Sequence, residues 1–366
     1  MGDSPVQCTE LALRGGRRMG VAVLNAERSL NSLTLAMVDA LHQQLAAWEQ
    51  DPAIACVVLR GAGERAFCAG ADVVALARSA QAGDGQAEAF FTREYALDHA
   101  LHNYARPLLV WGSGVVMGGG LGLLVGASHR VVTDTTRMAM PEVTIGLFPD
   151  VGATFFLPRV PGRGGLFLAL TGVPIQAADA LYAGLADRCL RHGDYDELLT
   201  ALQETDWPGG EGDHHRLSDV LRRFETRVEL PEAQLRRHDA WIRQVTDADD
   251  LAQIVARIEG YEGDDPWLQQ AARTLATACP TTLRLVEEQF RRGRHLSLKE
   301  AFQLELVLAW QCLRHPNFAE GVRALLIDKD RQPRFEPDRL EAVTPEWVAG
   351  HFQPPWPEGQ HPLANL

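Results

Sequence analysis

Two carboxylates, Glu142 and Asp150, stand eight residues apart in PEVTIGLFPD, a stretch punctuated by proline and glycine. Pro141, just ahead of Glu142, holds the chain out of a helix and presents that carboxylate from a fixed loop. Asp150 lies between Phe148-Pro149 and Val151-Gly152, where it is also placed to cap a segment over Val151–Leu157. Two carboxylates in one water-poor pocket raise each other's proton affinity. One then suits the role of acid or hydroxyl-binding group, the other that of base or nucleophile. The sequence leaves open which does which.

Upstream, Gly118, Gly119 and Gly120 open an apolar run, Leu121, Leu123, Leu124 and Val125, that reads as a buried helix. Its start aims unpaired N–H groups and a positive dipole end forward, the arrangement that stabilises an oxyanion. The same glycines would equally suit a helix close-packed in a core. A second unit repeats the pattern. ACVVLR (Ala55–Arg60) reads as a buried strand, GAGERAFCAGAD (Gly61–Asp72) as a glycine loop, and VVALARSA as a helix capped by Asp72. Each unit offers one backbone N–H. Two such donors with a carboxylate nearby suit acyl transfer at a thioester.

The elements that must carry these groups are legible in outline. Cys8–Leu24 predicts a hairpin about Gly15-Gly16, and the apolar spacing of Leu35, Val38, Leu41, Leu45 and Trp48 predicts a helix from Thr34 to Glu49. Further helices are expected over Glu88–Asn103 and, beyond Arg163, almost continuously. Among them are Arg216–Thr226 and Leu298–Arg314, with Trp207–Asp213 as a loop. His129–Thr133 and Leu108–Trp111 read as strands. The division drawn is a catalytic core over 1–195 and a helical region over 196–366.

The chain has 366 residues and a net charge of −13, with Lys299 and Lys329 its only lysines, a balance that argues against nucleic-acid binding. Its 46% apolar content is that of an ordinary globular protein. Six scattered cysteines form no CxxC or Cys/His cluster and read as reduced thiols. Without a membrane-length apolar run or a leader-like N-terminus, a cytoplasmic location is the expectation, with no membrane partner.

AFCAGAD and MGGGLGL, followed by MPEVTIGLFPDVGATFFLPRVPG, resemble the enoyl-CoA hydratase/isomerase (crotonase) superfamily. The PE…GLFPDVG…FLPR block, LNSLTLAMVDALHQQLAAWEQDP and EGVRALLIDKDRQPRF are similar to its 3-hydroxyisobutyryl-CoA hydrolase branch. The resemblance covers nearly the whole chain. It implies an α/β spiral of strand–strand–helix turns followed by a helical C-terminal region. It also implies an acyl-CoA substrate, 3-hydroxyisobutyryl-CoA of valine catabolism, with CoA part of the substrate, no separate cofactor, and a possible homo-oligomer.

By the same resemblance, the N–H groups of Ala71 and Gly119 form the oxyanion hole, Glu142 is the catalytic glutamate, and Asp150 and Glu94 contact substrate. Gly122 occupies the position where hydratases of the superfamily carry a second glutamate. Hydration needs two acid/base groups about one water, so this glycine favours thioester hydrolysis. A hydratase or isomerase with a single base and a non-catalytic acyl-CoA-binding protein are the alternatives. Cys68, Ser113, His99, His102 and His129 lack a placed base or metal spacing and read as packing or surface residues. Arg28 is a candidate for the CoA phosphates by chain position, or simply an exposed arginine.

Overall fold

The hairpin and the three further strands read from the sequence lie among ten strands in the computed structural model, which describes residues 4–225 and 228–366. They are β1 (Val6–Ala12), β2 (Arg18–Leu24), β3 (Ile54–Gly61), β4 (Ala66–Cys68) and β5 (Leu108–Gly112). The series continues with β6 (Val115–Met117), β7 (His129–Thr133), β8 (Arg137–Ala139), β9 (Ile175–Gln176) and β10 (Arg188–Leu190). β1 and β2 form the expected antiparallel hairpin. From β2 outward the pairing is parallel, giving a six-stranded sheet in the order β1-β2-β3-β5-β7-β10. A four-stranded sheet runs β4-β6-β8-β9. The parallel strands are buried along nearly their whole length, which is why they read as unbroken apolar runs rather than alternating ones.

The chain divides into two compact units, each built from three separate stretches. The first comprises Met1–Ala71, Ala100–Met138 and Ile175–Ala233, and holds the six-stranded sheet. Met19, Val58, Leu109, Trp111, Val131 and Leu190 of that sheet share one core with Leu198, Leu202, Leu217, Val220, Leu221 and Phe224. Those last six lie on helices Tyr195–Gln203 and Glu211–Glu225. A cut after residue 195 therefore falls inside the first unit, because these two helices bury their apolar faces on the sheet. The helix expected over Arg216–Thr226 starts earlier, within the stretch read as a loop; Thr226 lies outside the described residues.

The second unit comprises Asp72–His99, Ala139–Pro174 and Gln234–Leu366, and its regular elements are almost all helices. Helix Val73–Ala82 is capped as expected, Asp72 accepting from Ala75 N at 3.1 Å. Helix Leu298–Arg314 has the expected bounds, fixed by a capping box between Ser297 and Glu300. Ala301, Phe302, Leu306, Leu308 and Ala309 on it are fully buried. Glu305, in the same apolar run, is fully buried too.

Candidate active site

In the first unit the two glycine loops lie against each other. Asn31, fully buried, ties the first loop down: it accepts from Ala26 N at 3.0 Å and donates to Ala62 O at 2.9 Å and Ala66 O at 3.0 Å. Leu33 N donates to Gly70 O at 2.8 Å in a parallel bridge, which leaves the Ala71 N–H outside the ladder. Gly119 is the first residue of helix Gly119–Val125, so its N–H has no acceptor within the helix. A Cβ on Gly120 would collide with the Cys68 carbonyl, and one on Gly70 would sit 3.6 Å from Gly119 N. Gly120 is thus needed for close packing, which brings the loop ending at Ala71 against the start of the Gly119 helix. Gly122, buried in this helix, presents no acid or base.

The carboxylates belong to the second unit. Pro141 precedes a 3-10 turn, Glu142–Ile145, where the sequence suggested a fixed loop held out of a helix. Gly146 N and Leu147 N both donate to Glu142 O, and Cys279 N donates to Val143 O at 2.8 Å. Helix Pro316–Val322 seats on the turn at Gly321, where a Cβ would lie 2.5 Å from Ile145 Cα. This gives the EGVRA stretch a structural reason: its glycine lets the helix hold the turn that carries Glu142.

Asp150 is not a cap. Helix Ala153–Phe156 begins after Gly152 without any side-chain cap, and Asp150 Oδ2 instead accepts the Tyr95 hydroxyl at 2.7 Å. The loop around it is strained, with Val151 at φ 52° and Gly152 at φ 93°. Two distant side chains hold that loop. Glu305 accepts from Gly152 N at 2.7 Å and Thr154 N at 2.8 Å. Gln289 donates to Pro149 O at 2.7 Å and Thr154 Oγ1 at 2.6 Å.

Glu94, Tyr95 and Asp98 lie on helix Gln86–His102, and all three are buried. The unit therefore gathers five buried carboxyls, Glu94, Asp98, Glu142, Asp150 and Glu305. Among the described residues no arginine or lysine pairs with them. Glu94 Oε1, both oxygens of Asp98 and Glu142 Oε2 have no hydrogen-bond partner there either.

Burial is the first cause of every shift in this group. It lifts Glu142 well above the usual carboxylate range, with the Asp150 charge adding to the rise. It lifts Asp150 only to about 6, because the Tyr95 hydroxyl and a backbone N–H favour its charged form. Glu94 is raised by burial, then by Asp98, Asp150 and Glu142; Asp98 is raised by burial, then by Asp150 and Glu305. Glu305 reaches about 8, its rise restrained by the Gly152 and Thr154 hydrogen bonds. Unpaired buried carboxylates cannot all ionise together, so this group favours protonated forms, with Asp150 favoured for the charge by its Tyr95 hydrogen bond.

Of the residues singled out by type and spacing or by the resemblance, the structure places Glu94, Glu142 and Asp150 in one unit and Ala71 and Gly119 in the other. Tyr95, Asp98 and Glu305 were missed. Their signal was faint but present: Asp98 follows Glu94 by one helical turn on a face shared with Phe91 and Leu101, and Glu305 interrupts an apolar run. Arg28 is exposed and Cys68 and Ser113 are buried, while His129 is tied to Ser128, Ser218 and His214 O. Among the described residues there is no metal-ligating group of three or more His, Cys, Asp or Glu, and no helix long and apolar enough to cross a membrane. Two cavities of the second unit, about 560 and 500 Å³, are lined by none of the five carboxyls.

Residues 19–352 match the family model of enoyl-CoA hydratase/isomerase, and the chain belongs to that family. It is 37% identical over 338 residues to the mitochondrial 3-hydroxyisobutyryl-CoA hydrolase of Gallus gallus, covering 92% of this chain and 86% of that protein. The Homo sapiens protein of the same name is 36% identical over 337 residues, covering 91% and 86%. Among solved structures, a carnitinyl-CoA dehydratase from Mycobacterium thermoresistibile superposes with a TM-score of 0.85 at 36% identity, covering 96% of this chain and 99% of that one.

Proposed function

We propose that the chain hydrolyses an acyl-CoA thioester, converting 3-hydroxyisobutyryl-CoA to 3-hydroxyisobutyrate and CoA in valine catabolism. The observation that carries this is the pair Glu142 and Asp150: both buried, without a cationic partner among the described residues, and each with its proton affinity raised by that burial. Such a pair supplies an acid and a base together. The names of the curated relatives support the same reaction.

In the proposed reaction the N–H groups of Ala71 and Gly119 donate to the thioester oxygen as it becomes an oxyanion. The proton of Glu142 passes within the pair to Asp150, and the freed Glu142 carboxylate either takes a proton from water or adds to the carbonyl to give an anhydride that water opens. Asp150 and Glu94 hold the 3-hydroxyl, the water, or both. The thiolate leaves as the acyl carbon regains its double bond, and is protonated to CoA thiol. Hydrolysis moves no electrons, so the proposal calls for no redox cofactor, and CoA arrives as part of the substrate.

A second reading, hydration or dehydration of an enoyl-CoA, is favoured by the name of the superposed dehydratase. Gly122 weighs against it, since the helix offers no second acid/base group at that position. A non-catalytic acyl-CoA carrier would have no use for several unpaired buried carboxyls, each costly to desolvate. Presented with 3-hydroxyisobutyryl-CoA and crotonyl-CoA, the protein should release thiol from the first and hydrate the second only weakly. Hydration faster than thiol release overturns the hydrolase reading.

A further inference from the structure

The strongest unexplained feature is Glu305. It lies fully buried on helix Leu298–Arg314, and both of its oxygens are spent on backbone N–H groups of one loop, Gly152 and Thr154. A carboxyl buried without a cation is a poor choice for packing alone. Its flanking residues, Phe302, Leu306, Leu308 and Ala309, show that an apolar side chain is what this helix otherwise places here.

The loop it grips contains Asp150 and is unfavourable on its own. Val151 is β-branched and sits at φ 52°, a conformation such residues rarely adopt and hold only when the surroundings impose it. Gly152, at φ 93°, has the Phe302 ring 3.2 Å from where a Cβ would stand. On the other flank, Gln289 grips Pro149 O and Thr154 Oγ1. Phe302 also packs near the Tyr95 ring, with centroids 6.0 Å apart, and Tyr95 donates to Asp150. One helix thus steadies the Asp150 loop directly, through Glu305, and packs against the hydroxyl donor that Asp150 uses.

We propose that Glu305, assisted by Gln289, is a positioning residue: it clamps the strained Pro149–Thr154 backbone so that the Asp150 carboxylate keeps its orientation toward the substrate, an inference that rests on the thioester-hydrolase reading for its catalytic consequence. Misplacement of a reacting group by about an ångström lowers turnover by about a hundredfold, whereas overall binding of a large CoA ester depends on many other contacts. The clamp therefore acts on kcat more than on KM.

The test uses the full-length protein. Glu305→Gln keeps the shape but turns one acceptor into a donor facing an N–H. It should lower kcat for thiol release from 3-hydroxyisobutyryl-CoA by about 10–100-fold, with KM changed by less than about threefold. Peptides containing Gly152 and Thr154 should exchange their amide hydrogens at least about tenfold faster, with the rest of the chain unchanged. In an Asp150→Asn background the Glu305 substitution should have little further effect, because its influence runs through Asp150. Gln289→Met, which releases the other flank without altering charge, should give the same kcat-selective loss. An unchanged kcat in both variants, or full additivity with Asp150→Asn, overturns the proposal. Absence of thiol release by the unaltered protein would instead refute the hydrolase reading, and the exchange measurement would still decide whether Glu305 holds the loop.

Discussion

Tyr95→Phe removes one atom, the hydroxyl that donates to Asp150 Oδ2 at 2.7 Å in a buried site. The ring keeps its place between Phe91 and Phe302, 5.9 and 6.0 Å away, so the fold should survive. A hydrogen bond to a charged group contributes about 1.5–3 kcal/mol, and each pKa unit corresponds to about 1.4 kcal/mol. The hydroxyl stabilises the ionised carboxylate, so its loss must raise the proton affinity of Asp150. From about 6, the group should move up by roughly one to two units.

If the singly protonated Glu142–Asp150 pair is the working form, the acidic limb of kcat/KM for thiol release reports that first ionisation. At pH 7 a group near 6 is about nine-tenths ionised, one near 7 about half, and one near 8 about a tenth. The variant should therefore lose about two- to tenfold at pH 7 and regain activity as pH rises. The assay is a pH series of thiol release for both proteins. A limb that stays in place, or moves to lower pH, refutes the role given to the Tyr95 hydrogen bond and to the charged Asp150.

Glu142→Gln keeps volume but removes base and nucleophile, and turnover should fall by more than the ~10²–10⁴-fold that general-base catalysis supplies if Glu142 also forms the anhydride. Wild-type protein cycled in ¹⁸O-water would then acquire label in the Glu142 carboxylate when water opens the anhydride at the protein carbonyl; full activity in the variant sinks both routes. Gly119→Pro removes the N–H at the first position of helix Gly119–Val125, where proline is tolerated, so the protein should fold yet lose ~10²–10³-fold in kcat. Near-normal turnover in the folded variant would leave that helix with a packing role alone.

Much of this molecule is written locally. The capping box Ser297/Glu300 fixes the start of its helix, Asp72 caps the next, and the apolar runs of β3 and β5 announce buried parallel strands. Each of these depends on residues within a few positions of one another, which a sequence displays directly. The glycine triplet and the two carboxylates were legible for the same reason, whereas the choice of the Ala71 and Gly119 N–H groups came from the family resemblance. Gly122 speaks to the reaction only through the resemblance, which places a second glutamate there in hydratases.

Other features exist only once distant segments meet. Asp150 sits where a cap would be, yet its partner is Tyr95, 55 residues away, and its loop is held by Glu305, whose bond to Gly152 spans 153 residues. Whether a carboxyl holds its proton depends on what excludes water from it and which charges lie beside it. Glu142 and Asp150 share a loop, yet they differ because only Asp150 receives a hydroxyl. The first unit likewise extends past residue 195 because helices Tyr195–Gln203 and Glu211–Glu225 bury their apolar faces on its sheet. Sequence determined which groups could do chemistry, because type and spacing are local. Tertiary structure decided which of them are pushed toward their protonated forms and what holds them still, because desolvation and pairing are properties of the packed interior.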